Sequence, residues 1–336
     1  MIGTPPFPTA PDQLTASFLS AALGTPVRTF STTTIGVGRG MLGDLVIVEP
    51  TYDDHAPGPE RVVAKFAADR EGSLASARRS GSHARELRFY DEIAPVTAAR
   101  VPRTYGAWYD PETAKFLLLQ DAVEADPGVD QLLGIGPERV RLVIRETAKL
   151  HARWWRSDRL AELEWLPRLD SVARRSNLAA IAAAGWPLLR DLLDPADLVP
   201  AVVALGDSLA ERIDAALVEL AGLPATLVHS DLRADNLLFD PSAPVVTIVD
   251  WQGAGIGPPS WDLAYLLSQS LTAEDRRAHE ADLIDEYRRA LCEAGVDVGL
   301  DEILVGYAPR WCSAFSSRAA SRSSRPPTPS DPDHSP

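Results

Sequence analysis

The sequence predicts an α+β protein in two parts, a small sheet with one key helix followed by a larger, mainly helical region. Three observations carry that expectation. Between Val27 and Gln120 short β-type runs are separated by Gly, Pro and Asp clusters around a single helical segment. After Gln131 apolar residues recur at helical spacing, and between Leu227 and Asp250 that spacing breaks into two short β-type runs framed by polar residues.

Taken in order, Leu14, Phe18, Leu19 and Ala22 lie on one helical face over Asp12 to Leu23, with Asp12 as the expected N-cap after Pro11. The runs Leu45 to Val48, Val62 to Phe66 and Lys115 to Leu119 read as strands, with a helix from about Ser82 to Ile93 among them. Val140, Val143, Ile144, Thr147, Ala148, His151, Trp154 and Trp155 keep to one face of a long helix, and further helices are expected over 170–192 and 200–221. Leu237 to Phe239 and Val245 to Val249 flank a turn at Asp240-Pro241-Ser242, after which helices resume over Leu263 to Leu271 and Glu274 to Cys292. The Ser-, Arg- and Pro-rich end, 316–336, is expected to stay disordered because it has little to bury. The corresponding divisions are 1–26, 27–121, 122–315 and 316–336.

The chain has 336 residues, 45% apolar and 24% charged, enough for a sizeable core and about two domains' worth of length. With 33 Lys and Arg against 47 Asp and Glu the net charge is −14, which argues against a nucleic-acid partner. Cys292 and Cys312 are too few for a disulfide framework and have no zinc-type spacing. No basic leader with an apolar stretch opens the chain, and no apolar run approaches the roughly 18 residues of a membrane span, so a cytoplasmic protein with no membrane partner is expected.

The strongest chemical signal is His229-Ser230-Asp231-Leu232-Arg233-Ala234-Asp235-Asn236, with Asp250 at the end of the next apolar run. Its spacing matches a kinase catalytic loop followed by a metal-binding aspartate. Phosphoryl transfer needs a carboxylate to orient an acceptor hydroxyl and take its proton, and oxygen ligands to hold Mg²⁺ against the phosphates. Asp231 is the expected base, and Asn236 and Asp250 the expected metal ligands. Upstream, Gly38, Gly40 and Gly43 form a glycine segment that precedes a strand. A dinucleotide-binding turn would open a helix there, so a flap over phosphates fits better. Lys65, at the end of the run Arg61 to Phe66, can reach phosphates if a helix carboxylate steadies it, and Glu86 in His83 to Tyr90 is the natural partner. Only Lys65, Lys115 and Lys149 are lysines, so a lysine kept here points to a need for its compact charge.

Together these segments resemble the protein-kinase-like phosphotransferases of small molecules, which include aminoglycoside phosphotransferases and choline kinases, and are closest in texture to the ecdysteroid kinase-like (CHK kinase-like) branch and its bacterial relatives. The resemblance spans about residues 12–307 and also rests on Leu117 to Asp121, Leu150-His151-Ala152, Asp250-Trp251-Gln252 and Trp261 to Leu267. It implies a bilobal protein-kinase-like fold, with a small antiparallel-sheet lobe, a helical lobe and ATP between them. Adenine would lie near Gln120 and Ala122, and the γ-phosphate of ATP would pass, with Mg²⁺, to a small-molecule hydroxyl acceptor. Asp-Trp-Gln in place of Asp-Phe-Gly, and the lack of an activation segment bounded by Ala-Pro-Glu, speak against a protein kinase.

Asp262 is expected to brace the catalytic loop or cap its helix, His151 to be a hydrogen-bonded core residue, His229 to hold the loop backbone, and Trp154, Trp155, Trp165 and Trp186 to pack helices. His229, Ser230 and Asp231 are adjacent, so they cannot align as a hydrolase triad, and no P-loop motif occurs. Two other readings remain. One is a catalytically impaired nucleotide-binding pseudokinase, suggested by the altered C-terminus after about Phe315. The other, more remote, is an NAD-linked oxidoreductase.

Overall fold

A computed structural model describes residues 2–35, 43–53, 56–68, 71–220 and 222–307. The first lobe is built on five antiparallel strands, β1 (Val27–Ile35), β2 (Gly43–Tyr52), β3 (Val62–Ala67), β4 (Thr104–Tyr109) and β5 (Phe116–Asp121), in the order β1-β2-β3-β5-β4. Side chains alternate across a strand, so Val62, Ala64 and Phe66 of β3 enter one core with Val46, Val48 and Leu19, while Val63 and Lys65 face the other way. β5 is covered on both faces: Leu117 and Leu119 join that core, and Phe116 and Leu118 join the main one. Lys65 stands opposite Leu118, and so on the side of the sheet that faces the second lobe.

The helix α1 (Ala16–Leu23) begins later than the sequence suggests: Asp12 falls in a short 3₁₀ turn, Pro11–Gln13, and the Thr15 hydroxyl caps α1 by accepting from the Phe18 N–H at 3.1 Å. A helix the sequence does not single out, α2 (Glu71–Ser80), precedes the expected one, which starts at Ser82 as α3 (Ser82–Arg88). Gly81, at φ +65°, separates them, a backbone state that glycine adopts without steric cost. A π turn, Phe89–Ile93, extends α3 and buries Phe89, Tyr90 and Ile93. Strands β1 and β4 lack the continuous apolar signature of β5: β1 is mostly exposed and β4 mostly half-buried, so neither stands out in the sequence.

The second lobe comprises α4 (Gly136–Trp154), α5 (Arg159–Glu162), α6 (Val172–Leu192), α7 (Pro200–Leu220), α8 (Ser260–Ser270), α9 (Ala273–Glu293) and α10 (Leu300–Tyr307), with β6 (Thr226–Val228) paired to β9 (Gly255–Gly257) and β7 (Leu237–Phe239) to β8 (Val246–Ile248). The expected face of α4 is buried from Val140 to Trp154, and α4 packs on α9. Trp186 and Trp154 are packed as expected, Trp186 lying against Gly206, where any Cβ would come within 2.2 Å of the indole. The glycines Gly38 and Gly40, the expected disordered segment 316–336 and Cys312 fall outside the described residues.

Trp251 joins the lobes. It is fully buried, stacks on Phe89 at 3.8 Å and 5°, meets the His229 ring edge-on at 4.5 Å, and donates its indole N–H to the Ile248 carbonyl. Trp251→Ala should therefore cost about 3–5 kcal/mol of unfolding free energy, the range for truncating a packed aromatic, as read from urea denaturation. A loss under about 1 kcal/mol, the scale of an ordinary surface change, would contradict this packing.

Candidate active site

β6 delivers the chain into the loop from His229 to Asn236, and the loop is held by backbone bonds to one buried carboxylate. Asp262, in the first turn of α8, accepts the His229 N–H at 2.7 Å and the Ser230 N–H at 2.8 Å, one on each oxygen. His151 Nε2 adds a third contact at 3.2 Å, while His151 Nδ1 lies 2.6 Å from the Tyr287 hydroxyl. Burial alone would push the Asp262 carboxyl up, but these donors hold it below its ordinary value. They also stabilise Ser230 at φ +68°, a conformation strained for a residue with a Cβ.

His229 fixes the same loop from the side. Its Nδ1 accepts the Asp231 N–H at 3.2 Å, so the proton belongs on Nε2, which lies 3.0 Å from the Val249 carbonyl. Val249 N–H donates in turn to the Asn236 carbonyl at 3.0 Å, drawing the residue before Asp250 onto Asn236. Gly253 then passes directly over the loop, where a Cβ would lie 3.0 Å from the His229 carbonyl oxygen.

The Asp231 carboxylate accepts from Tyr265 Oη–H at 2.9 Å on Oδ1, and on Oδ2 from Asn236 Nδ2–H at 3.0 Å and Arg233 Nε–H at 3.4 Å, the Arg233 Nε also lying 3.2 Å from Oδ1 as an ion pair. Burial raises its pKa, partly opposed by Arg233 and reinforced by the Asp250 charge. Asn236 Nδ2 also donates to the Asp231 carbonyl at 2.8 Å, and its amide oxygen has no hydrogen bond among the described residues.

Across the cleft Lys65 Nζ lies 2.7 and 2.8 Å from the two Glu86 oxygens and 2.9 Å from Asp250 Oδ1. Burial would lower the lysine pKa, but Asp250 and Glu86 more than reverse this and push it above the ordinary value. Glu86, only 2% exposed, is pushed up to about 7 by burial against the pull of Lys65, whereas Asp250, at 24% exposed, is lowered by the same ammonium in spite of burial. Asp250 sits at φ +66° and ψ +65°, and its Oδ2 accepts the Gln252 amide at 3.0 Å.

The structure thus brings Lys65 into contact with both Glu86 and Asp250, and Asp231 with Asn236. Gly43 opens β2 opposite Ala67, and Gln120 and Ala122 lie at the end of β5, the Ala122 N–H facing the Arg61 carbonyl at 3.4 Å. Asp262, His151 and His229 do what their positions in the sequence suggest. The sequence does not single out two neighbours of the site, Tyr265 and Arg85. Of these only Tyr265 has a usable spacing, since it lies three residues beyond Asp262 on the same helix face and so returns to the loop that Asp262 holds.

The sequence profile described as the phosphotransferase enzyme family (APH) matches residues 50–299, well over half of the chain. The chain belongs to that family. Among solved structures, APH(2")-IIia in complex with GDP and kanamycin has a TM-score of 0.55 at 14% identity, over 90% of this chain and 89% of that one. Aminoglycoside-3'-phosphotransferase of type VIII has 0.52 at 21%, over 88% and 97%, and macrolide 2'-phosphotransferase MphH from Brachybacterium faecium 0.51 at 18%, over 91% and 92%. At these identities the likeness is one of fold. Two curated relatives are the probable acyl-CoA dehydrogenase IBR3 of Arabidopsis thaliana, 28% identical over 54% of this chain, and the uncharacterized kinase-like protein D1044.1 of Caenorhabditis elegans, 25% identical over 61%. The matched segments cover 22% and 55% of those proteins' own lengths.

In Asp262→Asn one of the two loop amides would face an NH₂ group instead of an oxygen, and an unsatisfied buried donor costs about 1–3 kcal/mol. The wild-type advantage is linked to pH. Because the folded pKa of Asp262 lies below its reference of 3.8, the stabilisation is complete above that value and is lost as pH falls through the lowered folded value. Urea midpoints of the two proteins should therefore differ most near neutrality and converge below about pH 4; a gap that widens in acid would refute this.

Proposed function

We propose that this member of the phosphotransferase family transfers the γ-phosphate of ATP to a hydroxyl group of a small organic molecule. The observation that supports this most directly is the placing of Lys65 between Glu86 and Asp250, with Asp231 held separately by Tyr265 and Asn236. Such an arrangement gives a triphosphate one fixed cation, gives a metal a partly exposed carboxylate, and leaves a second carboxylate for the acceptor.

In this reading Lys65, steadied by Glu86, neutralises the α- and β-phosphates, and the segment with Gly38, Gly40 and Gly43 covers them. Adenine rests against the backbone from Gln120 to Ala122. Asp250 and the amide oxygen of Asn236 are hard oxygen donors suited to Mg²⁺, which when bound screens the charge on the phosphate oxygens. Among the described residues no group of three or more His, Cys, Asp or Glu could hold a metal unaided, so the remaining ligands would come from the nucleotide and from water. Asp231 orients the acceptor hydroxyl and takes its proton as the new O–P bond forms and the bond to the β-phosphate oxygen breaks, releasing ADP. Tyr265 and Asn236 keep that carboxylate aimed, and no phosphoenzyme is required.

The test is nucleotide binding and turnover by the full chain, with ATP and GTP compared, over a panel of amino-alcohols, aminoglycosides such as kanamycin, macrolides, steroids, sugars and hydroxyacyl thioesters. The thioesters are included because a relative is named as an acyl-CoA dehydrogenase. Binding of Mg·ATP without turnover of any acceptor would favour a nucleotide-binding protein without transferase activity. Asp231→Ala should lower kcat by roughly 10²–10⁴-fold, the scale of a positioned acid–base group, and leave Mg·ATP affinity intact; undiminished turnover would remove Asp231 from the role. Asp250→Ala should weaken Mg·ATP binding by calorimetry while metal-free ATP binding changes less, and equal Mg·ATP affinity in variant and wild type would exclude Asp250 as a ligand.

A further inference from the structure

Arg233 grips the Asp231 carboxylate incompletely. Its hydrogen bond to Asp231 runs from Nε to Oδ2 at 3.4 Å, and the same Nε stands 3.2 Å from Oδ1. An unrestrained guanidinium forks onto a carboxylate, with Nε on one oxygen and Nη2 on the other, at about 2.7–2.9 Å. Arg168 makes such a fork on Asp170 in this chain, with Nε 3.0 Å from Oδ1 and Nη2 3.2 Å from Oδ2. Both pairs lie two residues apart, so proximity in the chain does not by itself set the grip.

What differs is the far side of the guanidinium. Arg233 Nη1 donates to Gln131 Oε1 at 2.7 Å and to Asp235 Oδ2 at 2.9 Å, both shorter than either contact with Asp231, while Nη2 makes no hydrogen bond among the described residues. Gln131 comes from 102 positions earlier, in the segment between β5 and α4. Its turn is held by Asp130, whose carboxylate accepts the Leu132 N–H at 2.7 Å. The Ile135 N–H then ties the same segment to the Ser270 carbonyl, at the end of α8, at 2.9 Å. Since α8 also carries Tyr265, the elements that reach Arg233 and Asp231 from outside the catalytic loop are fastened to each other.

A count of lone pairs gives this restraint a purpose. A carboxylate has roughly four acceptor positions. Asn236 and Arg233 use those on Oδ2, and Tyr265 uses one on Oδ1, so the last position is on Oδ1. A complete fork by Arg233 would place Nη2 there, and an acceptor hydroxyl would find no oxygen left to take its proton. We propose that Gln131 and Asp235 are positioning residues that draw Nη1 away, hold Arg233 off the last lone pair of Asp231 and keep it open for the acceptor hydroxyl. This rests on the transferase reading above and names Oδ1 as the oxygen that receives the proton. Arg233 still steadies the carboxylate through Nε.

Crystal structures and kinetics of the double variant Gln131→Ala/Asp235→Ala, beside wild type, give the test. In the double variant Arg233 should close on Asp231, with Nε on Oδ2 and Nη2 on Oδ1, each at about 2.8 Å. An Arg233 that keeps its wild-type spacing, or that leaves Asp231 for solvent, overturns the proposal. Turnover is read as ADP release, with water or any member of the acceptor panel that wild type uses. In the double variant kcat should fall roughly 10-fold, short of the 10²–10⁴-fold expected for loss of the base itself, while Mg·ATP affinity by calorimetry stays the same. A parallel loss of Mg·ATP affinity would assign the two residues to the metal side of Asn236 and overturn the proposal. Gln131→Glu keeps an oxygen on Nη1 and should keep the wild-type spacing of Arg233. Adding Arg233→Met to the double variant removes the competing fork and should restore part of the lost kcat. A role limited to docking the Gln131 turn on the loop predicts no recovery, and that result also refutes the proposal. If wild type turns over neither water nor any acceptor, the transferase reading fails and this inference with it, whereas equal kcat in wild type and the double variant removes the inference alone.

Discussion

The ammonium of Lys65 ties together two carboxylates from different lobes, one of them 185 positions away in the chain. A group with two negative partners and one positive charge is a poor device for stability, because taking such ions out of water offsets most of what their attraction returns. Its geometry gains meaning once a nucleotide is considered. Glu86 is almost wholly enclosed and touches Lys65 with both oxygens, so it fixes where the ammonium sits. Asp250 is the more exposed partner, and its left-handed backbone turns the carboxylate out of the strand direction. One carboxylate orients the cation and the other stays within reach of a ligand. The sheet supplies the cation because alternation along β3 sends Val62, Ala64 and Phe66 into the core and leaves Lys65 facing the cleft.

The opposite wall depends on Asp262 in a comparable way. Two backbone N–H groups of the loop point at its oxygens, and the strained Ser230 persists because this pair of bonds over-determines it. With the loop pinned there and by His229 on the Val249 carbonyl, Asp231 is held by donors from three directions, and the roughly four acceptor positions of a carboxylate leave it room for one more. Preorganised donors of this kind hold a carboxylate in place without the cost of reorganising solvent during a reaction. Trp251 connects the two walls, since the residue next to Asp250 stacks on Phe89 of the extended α3 and touches the His229 ring.

Much of this was legible because it follows from local chain geometry. Lys65 ends an apolar run, Glu86 lies on the one strongly patterned helix of the first lobe, and Asp231, Asn236 and Asp250 flank a hairpin of fixed length. What escaped depends on tertiary direction. The helix α2 has only Leu74, Ala75 and Ala77 as apolar residues, so no stripe marks it, and the π turn after Arg88 departs from the spacing of an α-helix. The strand β1 carries β-branched residues but shows most of them to solvent, so its pattern resembles that of a loop.

The choice of lysine at position 65 is informative in a chain whose other cations are nearly all arginine. An arginine here would spread its charge over a planar fork and fill the space between Glu86 and Asp250 with donors fixed in one plane. The ammonium instead presents its three donors from a single atom, two contacts going to Glu86 and one to Asp250. A phosphate oxygen can approach that atom by displacing only the Asp250 contact, without disturbing the grip of Glu86.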